Sequence, residues 1–202
     1  MERGHEVIAI DNDHKFDADY YLDIGSVPSL LMILADYKPD VILASPPCTS
    51  FTTMTMGRNW TYDGLPRTDV ARQGRRLVLA TIEIINHYDP PFWIIENPRA
   101  RLRTLPFLRG APERRTVTYC RLGESRMKPT DLWGGFPPSL ILPPMCHNGN
   151  QDHVSAPRGS YTGTQGMDSA ESAKVPRALS MLVCDAIEMD LKMGVDARTE
   201  NV

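Results

Sequence analysis

The sequence lacks any apolar run near the roughly 18 residues that a bilayer-spanning segment needs, so no membrane span is expected of its 202 residues. Its amino terminus has no charged-then-apolar signal segment, which makes a cytoplasmic protein the expectation. Four cysteines are present, Cys48, Cys120, Cys146 and Cys184, but no two form a tight C-x-x-C pair. That spacing indicates neither a disulfide scaffold nor a zinc ribbon and fits a reducing compartment. An excess of one charge is also missing. The 22 lysines and arginines stand against 25 acids, a net charge of −3, which argues against a protein that coats nucleic acid nonspecifically. The length leaves room for one domain of ordinary size, with or without a small insertion, and not for two.

What is present is organised around Asp40–Phe51, D-V-I-L-A-S-P-P-C-T-S-F. Val41, Ile42, Leu43 and Ala44 form the short apolar run expected of a buried parallel strand, ended by Pro46 and Pro47, which cannot continue it. Cys48 therefore stands just past a strand's carboxyl end, the edge at which open α/β sheets bind ligands. Alone, it reads better as a small buried hydrophobe. A second strand is Phe92-Trp93-Ile94-Ile95, followed by Glu96, Asn97 and Pro98. Between the two, Thr68 or Asp69 caps a helix whose Val70, Leu77, Val78, Ile82 and Ile85 recur at helical spacing, and Asp89-Pro90-Pro91 ends it. Strand, helix, strand implies two parallel strands with a right-handed crossover, so Cys48 and Glu96 are expected at one edge of one sheet. Thr52–Pro66, rich in Thr, Met and Gly, is expected to be a mobile loop that closes over a substrate.

Elsewhere, His5–Asp13 reads as a strand ending in acids. Asp11, with Asp13 behind it, is a candidate acceptor for ribose hydroxyls, and both read equally as turn acids. Tyr20–Ile24 reads as a short strand, and Ser26, Pro28 and the apolar residues to Leu34 as a helix with its start signals. Arg115–Arg121 reads as a further strand. The interval from Arg99 to Lys128 holds nine basic residues and two acidic ones, Glu113 and Glu124. From about Gly123 to Ser172 the chain is Gly-, Pro- and polar-rich without a helical period. Pro176 then opens an amphipathic helix carrying Leu179, Leu182, Val183, Ile187 and Leu191, stopped by Gly194. Cys120, Cys146, His147 and His153 are zinc-ligand types, but their spacing matches no standard finger, and no metal is expected.

Pro46-Pro47-Cys48, with Phe51 three residues later, resembles the nucleophile loop of the DNA cytosine-5 methyltransferases. The strand ending in Glu96-Asn97 is similar to that family's strand ending in Glu-Asn. Thr118-Tyr119-Cys120-Arg121-x-Gly123, then Lys128-Pro129-Thr130-Asp131-x-Trp133, resembles its compact phage and prophage members, which implies a host cytoplasm if the chain is phage-encoded and a restriction-modification context, as self-protection or as evasion of restriction. The resemblance implies an α/β, Rossmann-like S-adenosylmethionine-dependent methyltransferase fold. Its catalytic core would cover 1–122, a short irregular target-recognition segment 123–172, and a helix returning to the core 173–202. The implied reaction moves a methyl group from S-adenosylmethionine to carbon 5 of a flipped cytosine in double-stranded DNA through a covalent Cys48 adduct. In that scheme Glu96 holds the ring nitrogen and exocyclic amine, Arg121 and more weakly Arg115 meet the flipped nucleotide, and arginines of the basic interval help ionise the thiol. Pro47, Phe51 and Asn97 are expected at the substrate, Asn97 also anchoring the loop. Asp11, Asp23, Ile24 and Pro46 are expected at the cofactor, Asp23 on the adenine amine and Ile24 against the ring.

The chain also departs from the family pattern. Members begin with a strand and a glycine-rich F-x-G-x-G loop around the methionine part of the cofactor, and this chain starts after that point, which implies an N-terminally truncated fold. A late start codon is the favoured explanation, because Met1–His5 reads like the tail of a helix running into a strand; a fragment and a loss of cofactor binding compete with it. The usual Gln-x-Arg-x-Arg spelling is absent, and Ala173-Lys174-Val175 stands where a Gly-Asn pair often precedes the last helix. The alternative function is a catalytically deficient, methyltransferase-like DNA-binding protein, a decoy or part of a split enzyme, gripping DNA through Arg99–Lys128. A weaker alternative is another one-carbon transfer to a pyrimidine.

Overall fold

The computed structural model describes residues 3–157 and 159–197, so Met1 and Glu2 of the expected helix tail lie outside the described residues. The chain is mixed α/β. Its elements run β1 (Ile10–Asp11), β2 (Tyr20–Tyr21), α1 (Val27–Ile33), β3 (Val41–Ala44), α2 (Met56–Asn59), α3 (Asp69–Tyr88), β4 (Phe92–Pro98), β5 (Glu113–Thr118), β6 (Pro129–Gly135), α4 (Ser169–Ala173) and α5 (Arg177–Lys192).

The helices form where start and stop signals are strongest. Thr68 caps α3 by accepting a hydrogen bond from the Ala71 N–H at 3.3 Å, and Asp89 ends it in a left-handed conformation with φ 43° before two prolines that cannot continue it. Pro176 precedes the first residue of α5. The main sheet has the order β3-β4-β6-β5. β3 and β4 are parallel, Ala44 opposite Ile95, and β6 runs antiparallel to both of its neighbours. β1 and β2 pair in parallel as a separate two-stranded sheet.

Alternation along the strands divides the core between the sheet's two faces. Phe92 and Ile94 of β4, Val117 of β5 and Leu132 of β6 pack with Leu179, Val183, Ala186 and Ile187 of α5. Ile95 and Trp133 point the other way, into a cluster with Ala71, Val78 and Ile85 of α3 and with Phe51, Trp60, Leu102 and Leu105. Gly134 allows β6 to lie this close to β4, because a Cβ there would stand 1.9 Å from the Trp93 carbonyl oxygen.

Four expectations are revised by tertiary pairing. The strand expected over His5–Asp13 shrinks to Ile10–Asp11, since its only partner among the described residues is the two-residue β2. β3, expected to be buried, is an edge strand with Leu43 59 % exposed. Thr52–Pro66 is not a free loop. It contains α2 and an isolated bridge between Trp60 and Pro66, and Trp60 is 2 % exposed. The segment 123–172 is not uniformly irregular either, because β6 lies within it and sits between β4 and β5. Its alternation is masked by Pro, Gly and Asp at positions that the pairing tolerates.

Candidate active site

The parallel pairing of β3 and β4 ends at Ala44 and Ile95; from there Ser45-Pro46-Pro47-Cys48 leaves β3 as a loop, whereas Glu96, Asn97 and Pro98, expected to follow the strand, continue β4 against β6. Asn97, 1 % exposed, donates from Nδ2 to the Pro46 carbonyl at 2.8 Å. That bond ties the Cys48 loop to β4 just past the last parallel pair. The turn after the cysteine closes with Phe51 N–H donating to the Cys48 carbonyl at 2.8 Å. The Ser50 carbonyl accepts from Trp60 Nε1 at 2.7 Å and from Asn59 Nδ2 at 3.3 Å. Below the turn, α3 approaches so closely that a Cβ on Gly74 would stand 2.1 Å from Ser50 Oγ. Cys48 is thus half-buried on a loop braced from three directions.

Three further side chains complete the site. Glu96 Oε1 accepts a hydrogen bond from the Tyr119 hydroxyl at 2.9 Å. Lys128 Nζ lies 4.7 Å from the centre of the Tyr119 ring and donates to the Ser172 carbonyl at 2.7 Å. Arg126, 1 % exposed, covers the same ring at 5.4 Å and donates to the carbonyls of Glu171 and Lys174 at 2.8 and 2.9 Å. Tyr119 therefore has two cations against its ring, and the same cations bind carbonyls at the end of α4. Lys128 adopts φ 24°, an uncommon conformation for a side-chain-bearing residue and one that clusters at functional sites.

Burial dominates the electrostatics. It pushes the Cys48 thiol above its ordinary value, with Lys128 pulling down and Glu96 pushing up. It also raises the Glu96 carboxyl, opposed by Lys128 and by hydrogen bonds from Tyr119 and Ser45. Lys128 is lowered by burial, against the pull of Glu96 and Cys48. Burial raises the Tyr119 hydroxyl as well, assisted by Glu96. A thiol, a carboxyl that keeps its proton to higher pH than usual and an ammonium group therefore share one partly dehydrated space.

The residues expected at the site divide into those the fold brings together and those it uses elsewhere. Cys48, Glu96, Asn97 and Pro46 meet, and Pro47 is exposed beside them. Phe51 has no surface to offer a substrate. It is 0 % exposed and stacks on Trp60 with ring centroids 5.4 Å apart, so its part is to hold the loop. Arg115 is engaged by Glu113, the Leu140 carbonyl and the Phe136 ring, and Arg121 by Asp152 at 3.1 Å. The cation that acts on both Cys48 and Glu96 is Lys128 rather than an arginine. Asp11 accepts from the Asp13 N–H at 2.8 Å. Asp23 accepts from the Gly25 N–H at 2.9 Å and pairs with Arg76, which holds its carboxyl below the ordinary range.

Sequence reasoning assigned no role to Tyr119 or Lys128, although both lie in quoted motifs. The available signal was their position at the two ends of one β5–β6 connection, which the pairing of Thr118 with Pro129 closes. The basic interval is also less free than its composition implies. Arg101, Arg103, Arg115, Arg121, Arg126 and Lys128 all make contacts within the chain, while Arg99, Arg109 and Arg114 are exposed.

No family model matches the chain. It is 28 % identical over 187 residues, 84 % of its own length and 85 % of the other protein's, to a probable DNA (cytosine-5)-methyltransferase of Frog virus 3 (isolate Goorha). That likeness agrees with the resemblance carried by the Pro-Pro-Cys and Glu-Asn motifs. No helix among the described residues is long and apolar enough to cross a membrane.

Proposed function

We propose, from the chain's likeness to DNA cytosine-5 methyltransferases, that it methylates carbon 5 of a flipped cytosine in double-stranded DNA, with S-adenosylmethionine as the methyl donor. The observation that carries the reading is the assembly of Cys48, Glu96 and Lys128 beside the end of the β3–β4 parallel pairing. Carbon 5 of cytosine is too weak a nucleophile until an anion adds to carbon 6. The Cys48 sulfur forms that bond as a thiolate, and Lys128 offsets part of the burial that opposes ionisation. Glu96 gives its proton to the ring nitrogen as sulfur adds, so no negative charge accumulates on the base. Tyr119 fixes the carboxyl's direction through the 2.9 Å hydrogen bond. Once carbon 5 carries the methyl group, loss of its proton to a base expels Cys48 as thiolate, and the ring nitrogen returns its proton to Glu96, which restores the neutral aromatic base and the starting carboxyl.

The fit to the cofactor rests on the ends of β1 and β2. Their parallel pairing supports a Rossmann-like reading of the fold. Asp11 offers a carboxylate for ribose hydroxyls, and Asp23, with Ile24 beside it, an acceptor and an apolar edge for adenine. The cofactor supplies an electrophilic methyl group when bound, and Pro46 would border it. Arg76 pairs with Asp23, whose side chain is still 46 % exposed; an adenine amine would compete with this guanidinium for the carboxylate. The same observation favours the second reading, a methyltransferase-like protein that binds DNA without chemistry. Within the proposed scheme the core is 1–122 together with β6, the remainder of 123–172 contacts the target, and 173–202 returns to the core.

The test is a trap. Duplex DNA containing 5-fluorocytosine, incubated with the protein and S-adenosylmethionine, is expected to give a covalent adduct that disappears in Cys48→Ser, because fluorine cannot leave as a proton does. DNA that is bound and shifted by the wild-type protein without any adduct overturns the enzymatic reading in favour of binding alone.

A further inference from the structure

We propose that Cys120, Cys146 and His153 bind a structural Zn²⁺ that fastens the segment after β6 to the turn bearing Tyr119. The three residues lie 26 and 7 positions apart in sequence, a spacing in which no standard finger is legible. The fold nevertheless brings one ligand atom from each to within 4.8 Å of the others. Cys146 Sγ is 3.5 Å from His153 Nδ1. Bond lengths of about 2.3 Å to sulfur and about 2.0 Å to nitrogen give a tetrahedral S···N edge of about 3.5 Å and an S···S edge of about 3.8 Å. The cluster therefore needs only a small contraction to close around an ion.

The surroundings are those of a structural site. Cys146 is 2 % exposed, and Cys120 and His153 are half-buried. The Cys146 N–H donates to Thr118 Oγ1 at 2.8 Å, and the Val154 N–H to the Ser125 carbonyl at 2.7 Å, so the backbone on either side is already pinned. Asp152 Oδ2 lies 3.9 Å from Cys146 Sγ and is directed by Arg121 at 3.1 Å and Asn150 at 3.0 Å. Two thiolates and an imidazole select zinc over magnesium or calcium, which prefer oxygen. The ion's charge offsets that of the two thiolates. Cys120 directly follows Tyr119, so a metal here steadies the backbone that aims the Tyr119 hydroxyl at Glu96. That effect is on position and leaves the reacting atoms untouched.

The measurement is metal content and ligand identity on the full chain. Protein purified under reducing conditions is expected to retain roughly one zinc per chain, and its removal to lower Tm by about 10 °C. Cobalt loaded in place of zinc is expected to show thiolate-to-cobalt charge transfer and the intense visible bands of a tetrahedral ion. Cys120→Ser, Cys146→Ser and His153→Ala should each abolish the zinc. Should a variant fail to fold, the cobalt spectrum of the wild-type chain decides by itself. A wild-type chain that takes up neither zinc nor cobalt overturns the proposal. So does zinc retained when both cysteines are replaced, or a reducible Cys120–Cys146 disulfide in place of the metal.

Discussion

Replacing Tyr119 by Phe removes one oxygen from the centre of the site and leaves the ring in contact with Arg126 and Lys128. The lost hydroxyl donates to Glu96 Oε1 at 2.9 Å from a side chain that is 0 % exposed. Burial raises Glu96 above its ordinary value of 4.5. The folded protein therefore keeps a proton that the unfolded chain releases, and stability falls as pH rises from that value through the folded one. On the acid side the substitution loses a hydrogen bond between neutral groups, worth about 0.5–1.5 kcal/mol; on the alkaline side it loses one to a carboxylate, worth about 1.5–3 kcal/mol. Urea unfolding of the two proteins at about pH 4 and about pH 8.5 should show the destabilisation widening by roughly 1 kcal/mol or more toward alkaline pH. Because Glu96 keeps its proton longer in the variant, the alkaline limit of covalent adduct formation should also move upward. A stability difference that is constant with pH, or larger in acid, would refute the assignment of this hydroxyl to the Glu96 carboxylate.

Two further substitutions test the other parts of the site. Lys128→Met removes the cation that favours the Cys48 thiolate, so burial acts unopposed and the thiol rises further; alkylation of Cys48 by iodoacetamide near neutral pH, read by peptide mass spectrometry, should slow by about 10-fold. Phe51→Ala empties the stack against Trp60 and should destabilise the fold by about 3–5 kcal/mol in denaturant unfolding. A variant that stays fully stable yet loses DNA affinity would return Phe51 to the substrate surface.

Much of this protein is local and was legible in the sequence. The caps and proline stops of α3, the Pro176 start of α5 and the apolar runs of β3 and β4 are decided by residues within a few positions of one another. For the same reason Cys48 could be placed just past the end of β3, and its closeness to Glu96 followed from the strand-helix-strand order, although β4 runs on past Glu96 to Pro98. Pairing across the sheet was not legible, because a strand's pattern of alternation carries no address for its neighbour. Only the tertiary structure puts β6 between β4 and β5, and that insertion closes the β5–β6 connection over the site. It brings Tyr119 and Lys128 onto Glu96 and gathers Cys120, Cys146 and His153. Phe51 shows the same limit from the other side. Its spacing from Cys48 marks a motif, but whether its ring meets a ligand or the core depends on Trp60, which folds back from beyond the loop to cover it. Local sequence set which groups stand where the parallel pairing of β3 and β4 ends; the packing of distant segments decided which of those groups share a dehydrated space, where their charges act on one another.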